Sequence, residues 1–161
     1  MTSGLPGPPS HVDLPVVRKV MIYVLDDRRR VLTFTQRSAP SAGMQIPAGT
    51  IEPGETPAAA ALRELQEETG VAAMVEPIHF AESMEDMRAF RDELHLRSWF
   101  LVSAEGFPSS SWTHVEHRAD DGDIVGDFAW TDVRTAVSDL VAGQAAQLVL
   151  ARRLADAWLP R

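Results

Sequence analysis

The sequence contains no cysteine. Its absence removes disulfides, thiolate metal sites and cysteine nucleophiles together, and it fits a reducing compartment. No run of about 18 apolar residues is present, so no transmembrane helix is expected. No basic stripe marks a nucleic-acid binder, and the net charge is −8. No phosphate-binding P-loop, nucleophile elbow or dinucleotide GxGxxG is found. Residues Met1 to Ser10 are rich in Pro and Gly and lack a basic-then-apolar signal pattern, which makes the cytoplasm the default expectation. Of fifteen Lys and Arg residues only Lys19 is a lysine. Arginine forks suit phosphate recognition. An acidic protein acting on an anionic substrate needs a local device against repulsion, and a bound divalent cation is the natural one.

The 161 residues fit one domain with a real core. Residues 1–12 read as a flexible tail and 13–161 as a single domain, without internal repeats. Val16 to Leu25 and Val31 to Gln36 read as a hairpin around an Asp26–Arg30 turn. Ser38 to Gly43 reads as loop, and Met44 to Pro47 as a short extended piece. Between Glu55 and Gly70, Thr56 can cap a helix, Pro57 suits its first position and Gly70 its left-handed end. Ala58, Ala61, Leu62, Leu65 and Thr69 recur at helical spacing and should face a core. Further strands are expected over Val71 to Glu82, Leu94 to Val102, Thr113 to His117 and Val125 to Trp130. Ser83 to Glu93 reads as a charged connection. Thr131 or Asp132 can cap a helix reaching Val141. A last helix should run from Gln144 to Trp158, with Leu148, Ala151, Ala155 and Trp158 on one side. The class is α/β or α+β, with a mixed sheet.

One constellation carries chemistry. A helix turns 100° per residue, so Glu64, Glu67 and Glu68 share one face. Like charges at these spacings repel by roughly 0.2–0.5 kcal/mol per pair. No basic residue stands four positions after any of them, so a cation from solution would relieve the repulsion. Oxygen-only ligands select Mg²⁺ or Mn²⁺ over zinc. Such an ion neutralises phosphate charge and acidifies a bound water, and a nearby carboxylate can take the proton. Arg63 can orient a glutamate by a bidentate pair.

The segment Gly49-x5-Glu55-x7-Arg63-Glu64-Leu65-x-Glu67-Glu68-x-Gly70-Val71 resembles the Nudix box at every fixed position. The resemblance implies the Nudix fold, a mixed sheet sandwiched between helices with the box as loop–helix–loop. It implies Mg²⁺-dependent hydrolysis of the diphosphate linkage in a nucleoside diphosphate joined to another group, with Mn²⁺ as substitute. Arg63, Glu64, Glu67 and Glu68 would then be catalytic, with Glu64, Glu67 and Glu68 as metal ligands and Glu64 alternatively the general base. Glu55 would support the cluster, and the Ala48 carbonyl would add a ligand. Family members often add a later acidic residue; Glu116, Asp120, Asp121 and Asp123 are the candidates, with Asp123 preferred.

Other features have plainer readings. His114 and His117 stand at i and i+3, which on a strand point to opposite faces, so exposed histidines are expected rather than a zinc pair. His79 and His95 fall in expected strands. Trp99, Trp112, Trp130 and Trp158 can stack a base, but packing is the commoner use. Arg18, Arg37 and Arg97 flank strands and are the candidates for substrate phosphate, although surface arginine is the ordinary reading. By resemblance, the Ile46–Thr50 approach leans toward ADP-ribose or nucleotide-sugar substrates, but the proline or tyrosine marks after the box are missing. Homodimers are common among such relatives. A nucleotide-sensing module without turnover is the alternative; such modules typically lose box glutamates, and this chain keeps them all.

Overall fold

The computed structural model describes residues 13–159. The expected tail 1–12 lies outside the described residues. Strand β1, Val16–Leu25, ends in the apolar run Val20–Leu25, every residue of which is buried. A strand covered on both faces must read that way. The Asp26 carboxylate closes the following turn by accepting from the Arg30 backbone N–H at 2.7 Å and its Nε at 2.8 Å. Strand β2, Val31–Gln36, then returns antiparallel to β1. A 3₁₀ turn, Pro40–Ala42, lies within the expected loop. Strand β3, Ala48–Thr50, pairs antiparallel with the first half of β1. Helix α1, Pro57–Thr69, begins where Thr56 Oγ1 accepts from Ala59 N–H and ends at Gly70, φ 76°.

Strands β4 (Ile78–Asp86), β5 (Leu94–Ser103), β6 (Trp112–Glu116) and β7 (Ile124–Thr131) complete one sheet. Its order is β4-β5-β1-β2-β7-β6, with β3 beside β1. The β1–β5 pair is parallel and the other pairs are antiparallel, so the sheet is mixed as expected. Helices α2, Val133–Asp139, and α3, Leu148–Trp158, follow. Asp132 caps α2 by accepting from Arg134 N–H.

Side chains alternate across the sheet and build two cores. Val20, Ile22, Val24, Phe100 and Val102 face α1 through Ala60, Ala61 and Leu65. Met21, Tyr23, Leu25, Trp99 and Leu101 face α2 and α3 through Ala136, Leu148, Ala151 and Ala155. Among the described residues no helix is long and apolar enough to cross a membrane.

Four expectations shift. The strand expected at Val71 to Glu82 runs instead over Ile78–Asp86. Pro77 cannot donate to a ladder, and an edge strand tolerates the charges that made residues 83–86 look like a connection. In α1, Ala60 is fully buried, whereas Leu62 is only half-buried. Helix α3 starts at Leu148 because Gln144 is used elsewhere. Trp158 is 49% exposed, and Leu159 closes the core in its place.

Candidate active site

The box glutamates gather where β3, the N-terminal half of β1, α1 and the end of β6 meet. The Ile22 N–H donates to the Pro47 carbonyl at 2.9 Å, and the Ile51 N–H to the Arg18 carbonyl at 2.9 Å, so the incoming loop lies flat on β1. Gly49 is then in direct contact with Glu64: a Cβ there would fall 1.8 Å from the Glu64 Cδ. Only a residue without a side chain leaves room for that carboxyl.

Arg63 organises the cluster. Its Nε and Nη2 donate to the two Glu55 oxygens, each at 2.9 Å. Its Nη1 donates to Glu64 Oε1 at 2.9 Å and Glu67 Oε2 at 3.1 Å, and Nη2 also reaches the Thr50 carbonyl at 2.9 Å. Relief of the glutamate repulsion therefore comes partly from within the chain. Arg63 stands four residues before Glu67, the side on which the sequence reading sought no partner. Its hydrogen bonds hold the Glu55 carboxyl below the usual range.

Glu68 lacks such a partner. Its Oε2 accepts from the Ala48 N–H at 3.0 Å. Burial pushes its carboxyl well above the usual range, and the charges of Glu64 and Glu116 push the same way. Glu64 is raised too, by burial first and then by Glu67 and Glu116, against the pull of Arg63. Carboxyl oxygens are the donor type a hard divalent cation takes, but among the described residues no three acidic or histidine side chains stand close enough together to enclose one. Glu64, Glu67 and Glu68 are the side chains that would supply such oxygens.

Of the later acidic residues, Glu116 is the one whose charge reaches Glu64 and Glu68. It is gripped by Arg118 at 2.8 and 3.2 Å. The preferred candidate, Asp123, instead pairs with His117 at 3.0 Å. The difference arises because β6 ends at Glu116, and its pairing with β7 carries that end toward α1; spacing from Trp130 held no such information.

The three candidate phosphate arginines are not brought together. Arg37 forks onto Asp127 and also donates to Thr113. Arg18 is exposed on β1. Arg97, on the opposite face of the sheet from Arg18, is 3% exposed and donates to the Ala142 carbonyl at 2.9 Å. Its Nε finds no partner among the described residues. Burial lowers its pKa. It clamps the α2–α3 loop and is not the surface arginine that its position suggested. Lys19, which the sequence reading did not single out, lies next to the box: its Nζ donates to Thr50 Oγ1 at 2.7 Å. The signal was its place on the strand that pairs with the box loop.

A cleft of about 500 Å³ opens between α1 and β6, lined by Arg63, Gln66, Glu67, His114, Glu116 and His117. His114 packs on Gly70 and comes within 3.0 Å of the Glu67 carbonyl through Nε2. Trp112 donates to the Thr69 carbonyl at 3.0 Å and stacks on Phe128, so it packs the end of α1. A larger cleft of about 700 Å³ lies at the opposite end of the sheet, by Asp26, Arg30, Phe107 and Trp130. There the Asp26 carboxylate is already paired with Arg30.

The family model described as the NUDIX domain matches residues 15–152. Over 115 residues the chain is 30% identical to the 8-oxo-dGTP diphosphatase of Escherichia coli (strain K12), covering 64% of this chain and 85% of that protein. Over 131 residues it is 33% identical to the octanoyltransferase of Myxococcus xanthus, covering 78% of this chain and 34% of that one. The chain thus spans about a third of the latter. The crystal structure of the MutT protein from Methanosarcina mazei Go1 superposes with a TM-score of 0.62 at 15% identity, covering 89% of this chain and 97% of that chain. That likeness shows the fold.

Proposed function

The chain belongs to the Nudix family of pyrophosphohydrolases, and from that premise we propose that it cuts the diphosphate linkage of a nucleoside phosphate derivative with a divalent metal held by its box glutamates. The observation that carries this reading is the crowding of box carboxyls against the Ala48–Thr50 backbone, Glu64 beside Gly49 and Glu68 on the Ala48 N–H, with Arg63 divided among Glu55, Glu64 and Glu67. A charge so placed costs free energy unless a cation joins it.

Glu64, Glu67, Glu68 and the Ala48 carbonyl are the ligand set, with Glu116 in the role that Asp123 was expected to fill. A bound Mg²⁺, or Mn²⁺ in its place, would neutralise phosphate charge and acidify a coordinated water. Arg63 orients Glu64 and Glu67, and Glu55 fixes Arg63 by a two-point pair. Glu64 is alternatively the base: left off the ion, its carboxylate beside Gly49 can take the proton of an attacking water. The cleft between α1 and β6 gives the phosphates a place beside these groups.

The substrate is a small nucleoside diphosphate derivative. The relative named for 8-oxo-dGTP puts nucleoside triphosphates first in a screen, and the Ile46–Thr50 approach keeps ADP-ribose and nucleotide sugars in it. The test incubates the protein with Mg²⁺ and these compounds, together with dinucleoside polyphosphates, and reads phosphate after phosphatase coupling. Metal-dependent turnover of one class, absent from a Glu67→Gln, Glu68→Gln control, is the expected result. Tight metal binding without turnover of any compound would overturn the enzyme reading in favour of a nucleotide sensor.

A further inference from the structure

The Ala48–Thr50 segment touches three charged side chains of the box. The Ala48 N–H donates to Glu68 at 3.0 Å, Gly49 lies against the Glu64 carboxyl, and the Thr50 carbonyl accepts from Arg63 at 2.9 Å. Whatever fixes this segment fixes the geometry of the glutamates. From Pro47 onward, β1 does so. Upstream, Met44 to Ile46 depend on other partners. Gln45 exchanges two backbone hydrogen bonds with Phe34, at 2.8 and 2.9 Å. The others come from the α2–α3 connection: the Val141 N–H donates to the Met44 carbonyl at 3.1 Å, and the Ile46 N–H donates to Gln144 Oε1 at 2.7 Å.

Ile46 is 1% exposed, so water cannot replace that acceptor. Gln144 is itself buried and held from behind. The Tyr23 hydroxyl donates to its backbone carbonyl at 2.6 Å and accepts from the Gln147 N–H at 3.2 Å. Tyr23 is fully buried and stacked on Trp99, with ring centroids 5.4 Å apart. A rigid aromatic from the centre of the sheet thus seats Gln144, which seats Ile46, two residues before the Glu68 donor.

We infer that Gln144 is a positioning residue for the box, setting the Ala48–Thr50 segment, and through it Glu68 and Glu64, by holding the Ile46 N–H. The inference rests on the metal-site reading of the box. Without its acceptor the buried Ile46 N–H is relieved only by movement of its own strand segment, which carries Ala48 with it. Movement there displaces the Ala48 N–H and, with it, the Glu68 carboxyl that accepts from it. Groups hydrogen-bonded to a metal ligand are worth roughly 10–100-fold in metal affinity, and Gln144, one step further out, should act at the lower end of that range.

Two variants of the full chain separate positioning from bulk stability. Gln144→Leu removes the acceptor at similar volume, and Gln144→Glu keeps an acceptor at the same reach. Binding of Mn²⁺ is followed by paramagnetic resonance, and kcat and KM are read at saturating Mg²⁺. The leucine variant is expected to bind Mn²⁺ about tenfold more weakly with KM unchanged, and the glutamate variant to stay within about twofold of the native protein. A leucine variant that only melts earlier, with native Mn²⁺ affinity, overturns the inference, as does a glutamate variant no better than leucine. Should the leucine variant not fold, Tyr23→Phe frees the Gln144 carbonyl while keeping the core filled. It should weaken Mn²⁺ in the same direction, and unchanged affinity there is equally fatal. A native protein that binds no Mn²⁺ and cleaves nothing sinks the box reading and this one together. Native binding with indifferent variants sinks this one alone.

Discussion

The Asp26–Arg30 turn and the Glu55–Glu68 box both set carboxylates against arginine, at opposite ends of the same sheet. At the turn one carboxylate meets one arginine and a backbone N–H, at 2.7 to 2.8 Å, and the polar groups are spent. Asp127 on β7 is likewise satisfied, by Arg37 just after β2 and by the Thr113 hydroxyl. In the box Arg63 is divided among Glu55, Glu64 and Glu67, while Glu68 receives a single N–H. Satisfied pairs hold a chain in place. Carboxyls left short of positive charge repel one another, at a cost in stability that the fold must cover elsewhere.

The widest gap between the two regions should appear on neutralising one carboxylate in each. Glu68→Gln keeps the acceptor for Ala48 and is expected to lower turnover by about 10²–10⁴-fold. The same change should raise the melting temperature of the metal-free protein at pH 8, because it removes a half-buried, poorly paired charge. Asp26→Asn should do the reverse: native turnover at 25 °C, and a loss of about 1.5–3 kcal/mol in thermal or denaturant unfolding. If both substitutions lower stability alike, the contrast is wrong.

A smaller effect is expected at Gly49. A Cβ there meets the Glu64 carboxyl, so Gly49→Ala should cost about 10–100-fold in turnover and metal affinity while leaving the fold intact by circular dichroism. Native Mg²⁺ affinity in that variant would mean that the close approach is packing alone.

The smallest effect is one of pH. Glu64 and Glu68 have folded pKa values above the ordinary 4.5. Their contribution to the stability of the metal-free protein is present below that value and is lost as pH rises through the raised ones. Mg²⁺ requires the ionised forms, so its stabilising effect should grow over the same window. Melts with Mg²⁺ and with EDTA should therefore diverge more at pH 8 than at pH 5. Equal divergence at both would remove the two glutamates from the metal site.

Much of the box end was legible because its signals are local. Thr56, Pro57 and Gly70 set the limits of α1 within the chain itself, and glutamates at i, i+3 and i+4 share a face in any helix. The runs of β1 and β2 marked their strands in the same way. What failed depended on partners far off in sequence. β4 was displaced because its limits are set by pairing with β5, from Ile78–Leu101 to Asp86–Leu94. Arg97 looked like a surface arginine until the α2–α3 loop covered it. Trp158 was placed in the core by helical spacing, but Leu159, as the chain leaves α3, took that position.

By itself the sequence determined the family, the class of fold and the helix that carries the glutamates, since these follow from residue types and spacings along the chain. Only the tertiary structure decided that Arg63 is shared three ways, that Glu116 rather than Asp123 faces the cluster, and that Gln144 reaches back 98 residues to Ile46. Those contacts depend on strand register and on which side chains the two cores leave room for. Such terms are summed over the whole chain, and no local spacing encodes them.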